Sequence, residues 1–210
     1  MLKKIENCSL FQKTNWQRTE LVYDFICNQL DLGLYTNSYY ESAYGSKIIS
    51  LGEGQGGVIE SFHMTEKTPW RIWTGPLLEK TIPWSEKLKH RLLSHNLNFV
   101  NFSYARHFKS ISAHIDGKTD KEGNQGHCNL NYIIDSSDAD AYTWAKDKNN
   151  NKVTIKSENM ITLLLNTATE HGVENSRPRS TFTVKFHEPY NIVDNFLTNN
   201  KDIFDYEMYH

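Results

Sequence analysis

The sequence predicts a mainly β fold: a double-stranded β-helix, or jelly roll, with N-terminal supporting helices and extra strands. At 210 residues and 38% hydrophobic composition, the chain can bury one sizeable core but has little room for two independent ones. Its second half alternates short apolar segments with turn residues, which is typical of a sandwich or barrel rather than of parallel βαβ units. The clearest helical periodicity lies in the first half.

Two helices are expected there. Residues Trp16 to Leu32 carry apolar side chains at helical spacing, and Gly33 follows as a stop signal. A second helix is expected from Trp84 to about His95, directly after Pro83. Between the helices, segments rich in Ile, Val, Phe and Trp predict strands at 47–51, 57–62 and 71–74.

From Leu97 onward, seven more strands are expected. They are 99–104, 110–115, 128–134, 141–145, 152–156, 160–165 and 180–186. We therefore expect a single domain over 1–210, with a helical and β support region at 1–96, a jelly-roll core at 97–188, and a C-terminal strap or short helix at 189–210.

Composition excludes several classes of function. The chain has 23 Lys and Arg against 25 Asp and Glu, so nucleic acid is disfavoured as the main partner. No apolar run reaches the roughly 18–20 residues that cross a bilayer, so we expect no membrane partner and a cytoplasmic location. The three cysteines, Cys8, Cys27 and Cys128, lack C-x-x-C spacing and are expected to be small buried hydrophobes.

The spacing of the nine histidines predicts a metal site. His114 and Asp116 lie two apart in a predicted strand and so share a face, and Gly117 lets the chain turn away behind them. A third ligand comes from His171, after the strand at 160–165, or from His127. Two histidines and one carboxylate leave positions open on Fe(II) for substrate and oxygen, although zinc also uses this ligand set.

The surrounding segments, Tyr104 to Gly117 and Leu163 to Val184, together resemble the Fe(II)/2-oxoglutarate-dependent dioxygenases over about residues 99–187. In that family an H-x-D pair ends one jelly-roll strand and a distal histidine completes the site. The resemblance implies that His114, Asp116 and His171 hold Fe(II), with 2-oxoglutarate and O2 as cosubstrates. It favours His171 over His127 as the third ligand.

The resemblance also implies a basic residue that holds the distal carboxylate of 2-oxoglutarate. Arg179 and Thr181 share a strand face, and an arginine fork donates two parallel charge-assisted hydrogen bonds. Arg177, which lies before Pro178, is the alternative, and the choice between the two depends on the register of the strand. Tyr132 matches a family tyrosine that bonds the same carboxylate, and an ordinary core tyrosine is the alternative.

The implied function is oxidative decarboxylation of 2-oxoglutarate to succinate and CO2, coupled to hydroxylation of a substrate C–H bond. The segment 129–135 is similar to prolyl hydroxylases, and His171-Gly-Val-Glu-Asn175 to the H-x-V-x-N of aspartyl/asparaginyl β-hydroxylases. A protein or peptide side chain, prolyl or Asp/Asn, is therefore the expected substrate, although 136–143 departs from the Gly-Gly-x-Thr of many relatives. A zinc-dependent hydrolase using the same site and a non-enzymatic jelly-roll binding protein are the alternatives.

Other motifs have more ordinary explanations. Trp70 and Trp73 could line a substrate groove, but core packing is the commoner role of such a pair. Arg106 and His107 precede the metal strand and could face the same pocket. The G-x-G-x-x-G at 52–57 precedes a predicted strand rather than a helix, so it is not a dinucleotide-binding fingerprint.

Overall fold

Strands provide most of the regular structure in the computed structural model, which describes residues 1–35, 38–41, 46–61, 70–116 and 128–209. Thirteen strands lie within these residues: β1 Leu2–Ile5, β2 Ser38–Glu41, β3 Ser46–Ser50, β4 Gly57–Ser61, β5 Trp70–Thr74, β6 Phe99–His107, β7 Ile111–His114, β8 Cys128–Ser136, β9 Tyr142–Lys146, β10 Lys152–Lys156, β11 Thr162–Asn166, β12 His171–Glu174 and β13 Arg179–Phe186.

The helices are few and lie before β6 or after β13. They are α1 Ser9–Gln12, α2 Gln17–Asp31, α3 Pro76–Glu79, α4 Ser85–Ser94 and α5 Tyr190–Asn199. Both predicted helices are confirmed as α2 and α4, and α5 forms in the expected C-terminal strap. Gly33 ends α2 as predicted: its φ of 72° is left-handed, and its N–H donates to Leu30 O.

The strands form two antiparallel sheets, and the predicted jelly-roll fold class is confirmed. The large sheet has nine strands in the order β1-β11-β8-β13-β6-β5-β4-β3-β2, and the small sheet has four in the order β10-β9-β12-β7. The predicted strands of both halves are present, whereas β1, β2 and β12 were not anticipated. β12 was missed because it is only four residues long and contains Gly172, which is unfavourable in a strand.

One face of the large sheet packs against the helices, as expected. Trp73, Tyr104, Phe182 and Tyr132 are register partners across β5, β6, β13 and β8. They belong to one buried cluster with side chains of α1, α2 and α4, and Phe182 lies 4.9 Å from the ring of Trp16. The three cysteines are free and buried, as predicted.

The other face of the large sheet looks toward the small sheet. Because side chains alternate along a strand, Arg179 and Thr181 of β13 lie on this inner face while Phe182 lies on the helix face. The same alternation separates Trp73, in the core, from Trp70, which pairs with His107 on the inner face.

Three other features noted in the sequence are the residues around the third-ligand alternative, the glycine-rich segment and the lack of long apolar runs. Gly117 and His127 lie outside the described residues. The glycine-rich segment 52–57 leads from β3 into β4, where a Cβ on Gly56 would lie 2.2 Å from Thr74 O. Among the described residues, no helix is both long and apolar enough to cross a membrane.

Candidate metal centre

Two neighbouring strands of the small sheet position the three predicted ligands. His114 is the last residue of β7, His171 is the first residue of β12, and the two are register partners. Asp116 follows two residues after His114, and its N–H donates to Thr167 O over 3.1 Å in the β11–β12 turn. The pairing of β7 with β12 therefore brings together residues that lie far apart in the sequence.

The three side chains converge on one point. His114 Nε2 lies 3.2 Å from Asp116 Oδ1, and His171 Nε2 lies 3.6 Å from Asp116 Oδ2. The centroids of the two imidazole rings are 4.2 Å apart. One ligand atom from each residue lies within 4.8 Å of the others, so a single ion can contact all three.

Backbone carbonyls fix the orientation of both histidines. His114 Nδ1 donates to Ser112 O, and His171 Nδ1 donates to Thr169 O, each over 2.8 Å. These bonds place the proton of a neutral ring on Nδ1 and leave the Nε2 lone pair directed at the convergence point. Such outer hydrogen bonds are how metal-binding histidines are held in the correct tautomer.

The electrostatics of the cluster favour a charged carboxylate. Burial acts to raise the pKa of Asp116, but hydrogen bonds from His114 and His171 and their positive charge outweigh it and hold that pKa well below its usual range. Burial likewise acts to lower the pKa of His114, and the hydrogen bond to Asp116 overcomes this, so the net pKa is raised. Asp116 is thus an anionic ligand at neutral pH.

The cluster is open on one side. The side chain of His171 is only 5% exposed, whereas those of His114 and Asp116 are 37% and 33% exposed. His171 therefore forms the floor of the site, and the other two ligands border solvent. A substrate can approach a bound ion from that side.

Arg179 is a buried cation on the face of the large sheet that looks toward the small sheet. It is 3% exposed, and burial lowers its pKa to about 10, so it stays charged at neutral pH. Its Nη1 donates to Thr143 Oγ1 over 3.0 Å and to Ser157 Oγ over 2.6 Å, from the small sheet. Among the described residues, none accepts from its Nε and no carboxylate lies at ion-pair distance.

The register gives the spacing between this cation and the ligands. Thr143 lies two residues before Ala145, the residue of β9 that pairs with His171. Two residues along a strand span about 7 Å. The hydroxyl partner of Arg179 and the strand position beside His171 are therefore close neighbours on β9.

Three polar residues around Arg179 were not predicted to bind the cosubstrate. Thr143, Ser157 and His107 all hydrogen-bond its guanidinium. Two of them carried a signal in the sequence: Thr143 occupies the threonine position of the Gly-Gly-x-Thr segment, and His107 precedes the metal strand. Ser157 and His107 lie on separate strands or turns, and only the fold brings them to Arg179.

The other residues predicted to bind the cosubstrate lie in different places relative to Arg179. Thr181 shares the inner face with Arg179, whereas Arg177 is exposed in the β12–β13 turn. Tyr132 lies on the opposite face, paired with Phe182 and 5.6 Å from the ring of Phe11. The register of β8 turns its ring into the helix-facing core, as in the alternative of an ordinary core tyrosine.

The chain is similar to several proteins of known structure. No protein-family profile and no curated protein matches the chain. Among solved structures, a prolyl hydroxylase from Trichoplax adhaerens, in complex with a hypoxia inducible factor oxygen degradation domain peptide fragment, aligns with a TM-score of 0.50 and 14% identity, over 91% of this chain and 86% of that one.

Two further structures have lower scores. A Pseudomonas putida prolyl-4-hydroxylase aligns with a TM-score of 0.45 and 9% identity, over 89% of this chain and 92% of that one. An oxidoreductase of the 2OG-Fe(II) oxygenase family from Burkholderia pseudomallei aligns with a TM-score of 0.42 and 9% identity, over 58% of this chain and 69% of that one.

At this level of identity the likeness concerns the fold. The chain shares the fold of the prolyl hydroxylase from Trichoplax adhaerens and has a His-Asp-His cluster on its small sheet. The predicted resemblance is confirmed to that extent.

Proposed function

We propose that the chain is an Fe(II)- and 2-oxoglutarate-dependent oxygenase that hydroxylates a substrate C–H bond. The observation that carries the proposal is Arg179, a buried cation with no described carboxylate partner, located behind a convergent His114, Asp116 and His171. Burying an unpaired charge is costly. A site built to receive an anion next to a metal accounts for that cost.

The ligand set fits Fe(II). His114 and His171 would supply Nε2 and Asp116 a carboxylate oxygen, leaving three positions of an octahedral ion open. When bound, the ion and the keto acid supply the chemistry that activates O2. The protein orients the ligands through Ser112 O and Thr169 O and keeps Asp116 ionised.

The inner face fits the cosubstrate. Arg179 would pair with the distal carboxylate of 2-oxoglutarate through Nε and Nη2, since both Nη1 bonds already go to Thr143 and Ser157. Thr181, on the same face, would donate its hydroxyl. The hydroxyls of Thr143 and Ser157 also hold the guanidinium in place before the ligand binds, which limits the entropy lost on binding.

For the substrate we propose a protein or peptide side chain, prolyl or Asp/Asn. Support comes from the Trichoplax adhaerens prolyl hydroxylase, whose structure holds a peptide fragment. On the open side of the cluster His114 and Asp116 are 37% and 33% exposed, which leaves room for such a chain. Incubation with peptide libraries followed by a search for a +16 Da product would test this part.

The cofactor claim is tested by anaerobic titration with Fe(II) and then 2-oxoglutarate, followed by visible absorption. We expect a charge-transfer band from the chelated keto acid in the wild type and its loss in His114→Ala and His171→Ala. His90→Ala, at an exposed histidine on α4, is the matched control and should keep the band. Absence of the band in the wild type would overturn the proposal.

A zinc-dependent hydrolase would use the same three ligands but has no need of Arg179. Succinate release upon addition of O2 and substrate separates the two reactions. Hydrolytic activity that persists in Arg179→Gln, without any succinate, would favour the zinc enzyme.

A further inference from the structure

His107 occupies a central place on the inner face that the proposed function does not use. It is the last residue of β6 and the register partner of both Arg179 on β13 and Trp70 on β5. Its carbonyl also accepts from Asn175 Nδ2 at 3.5 Å, in the turn that leads into β13. The residue is therefore held on both sides, next to the proposed cosubstrate cation.

The contact between His107 and Arg179 fixes the tautomer of the imidazole. Arg179 Nη2 lies 3.3 Å from His107 Nδ1, and a guanidinium can only donate hydrogen bonds. Nδ1 must therefore accept, which makes the ring neutral and places its proton on Nε2. No described residue accepts a hydrogen bond from that Nε2.

The surroundings of His107 also favour the neutral ring. Burial first, and then the positive charges of Arg179 and His114, lower the pKa of His107 well below its ordinary value. The imidazole is therefore neutral at neutral pH, the form that the contact with Arg179 Nη2 requires.

On the basis of the proposed function, we propose that His107 is a second 2-oxoglutarate-binding residue. Its Nδ1 orients the guanidinium so that Arg179 Nε faces the ligand, and its Nε2–H donates a hydrogen bond to a cosubstrate oxygen. An acceptor and a donor on one rigid ring make both contacts depend on a single side chain. A lysine or a second arginine would not provide this pair, because both lack an acceptor.

The test measures the dissociation constant of 2-oxoglutarate by the anaerobic Fe(II) titration in wild type, His107→Ala, His107→Asn and Arg179→Gln. Alanine removes both contacts, and we expect a rise in this constant of roughly ten- to a hundredfold. Asparagine keeps an oxygen near the Nδ1 position, so we expect a smaller rise, of roughly three- to tenfold. The double variant His107→Ala with Arg179→Gln should be clearly less impaired than the product of the single effects.

Mn(II) binding without 2-oxoglutarate, followed by electron paramagnetic resonance, separates binding from a structural role. We expect Mn(II) affinity in both His107 variants to stay within about twofold of wild type, since the ring is not a ligand. Unchanged 2-oxoglutarate affinity in His107→Ala would overturn the inference and leave the proposed function intact. A parallel loss of Mn(II) affinity in both variants would also overturn it, and a wild type without the band would overturn the proposed function and the inference together.

Discussion

Arg179 is charged, buried and surrounded by uncharged hydrogen-bond partners. Thr143 and Ser157 satisfy its Nη1, and His107 accepts from Nη2. Hydroxyls and a neutral ring solvate the cation without neutralising it. The residue therefore keeps its full attraction for an anion, which an internal carboxylate would have cancelled.

The pair Arg179 and Arg177 tests this view. Arg179→Gln removes the charge and the fork, so we expect the dissociation constant of 2-oxoglutarate to rise at least about tenfold, as for the loss of a charge-assisted hydrogen bond. Arg177→Gln, at an exposed position, is the matched control and should leave it unchanged. The anaerobic titration gives both constants, and equal effects of the two substitutions would contradict the assignment.

At the scale of the element, the close packing of β12 between its two neighbouring strands requires a glycine at position 172. A Cβ on Gly172 would lie 2.8 Å from Ile111 O on β7 and 2.8 Å from Trp144 Nε1 on β9. Both distances are shorter than real Cβ contacts allow. The absence of a side chain is what lets β12 lie close to β7 and His171 face His114.

We therefore expect Gly172→Ala to push the two strands apart and to lower Mn(II) affinity by more than about tenfold, because ligand atoms misplaced by a fraction of an ångström bind poorly. Gly54→Ala is the control: its φ of 67° strains alanine, but no atom lies within 4 Å of the added Cβ. It should lower the melting temperature without changing Mn(II) affinity. Normal Mn(II) affinity in Gly172→Ala would show that the sheet tolerates the shift.

The turn before β13 depends on Asp138. Its carboxylate accepts from the backbone N–H and the hydroxyl of Ser176, the latter over 2.8 Å, and from the N–H of Asp140 over 3.0 Å. The N–H of Ser176 first, then that of Asp140 and the Ser176 hydroxyl, lower the pKa of Asp138. A lowered folded pKa means that the ionised carboxylate stabilises the fold.

This stabilisation has a defined pH dependence. It is fully present above the unfolded pKa of about 3.9 and is lost as the pH falls through the lower folded value. We expect Asp138→Asn to lower the melting temperature at pH 7, and the difference from wild type to shrink below about pH 3.9. Thermal unfolding at several pH values measures this, and a difference that stays constant down to pH 2 would rule out the carboxylate as its source.

At the scale of the whole molecule, the two faces of the large sheet divide stability from chemistry. Phe182 lies in the core beneath the helices, 5.7 Å from the ring of Phe11 and 5.5 Å from that of Phe102. Thr181, one residue earlier, lies on the inner face. Adjacent positions of β13 should therefore respond to mutation in opposite ways.

We expect Phe182→Ala to lower the free energy of unfolding by about 3–5 kcal/mol while the folded fraction binds 2-oxoglutarate normally. Thr181→Val, which keeps the shape but loses the hydroxyl, should weaken 2-oxoglutarate binding with little loss of stability. Urea unfolding and the anaerobic titration provide the two readouts. The division fails if both substitutions weaken binding to the same extent.

The same division explains what could be predicted from the sequence. Alternation along one strand is local, so the shared face of His114 and Asp116, and that of Arg179 and Thr181, could be read directly. Which face of β8 carries Tyr132 depends on its register with β13, and register depends on contacts between distant segments. The sequence therefore predicts the strand of Tyr132 but leaves open whether its ring contacts a cosubstrate or packs in the core.

Long-range pairing also explains the features that were missed. β1 contains Lys3 and Lys4 and has no strand-like alternation, yet it pairs with β11. Nothing in the sequence singles out Ser157, and the place of His107 before the metal strand does not predict its contact with Arg179. In each case the pairing or contact depends on a partner residue more than twenty positions away in the sequence.

The unneutralised guanidinium of Arg179 has a consequence for turnover. Decarboxylation of 2-oxoglutarate leaves succinate, which carries the same distal carboxylate and meets the same fork. The proposed binding of 2-oxoglutarate by Arg179 should therefore extend to succinate, and we expect succinate to inhibit competitively with 2-oxoglutarate. We also expect succinate to raise the melting temperature of the wild type but not of Arg179→Gln.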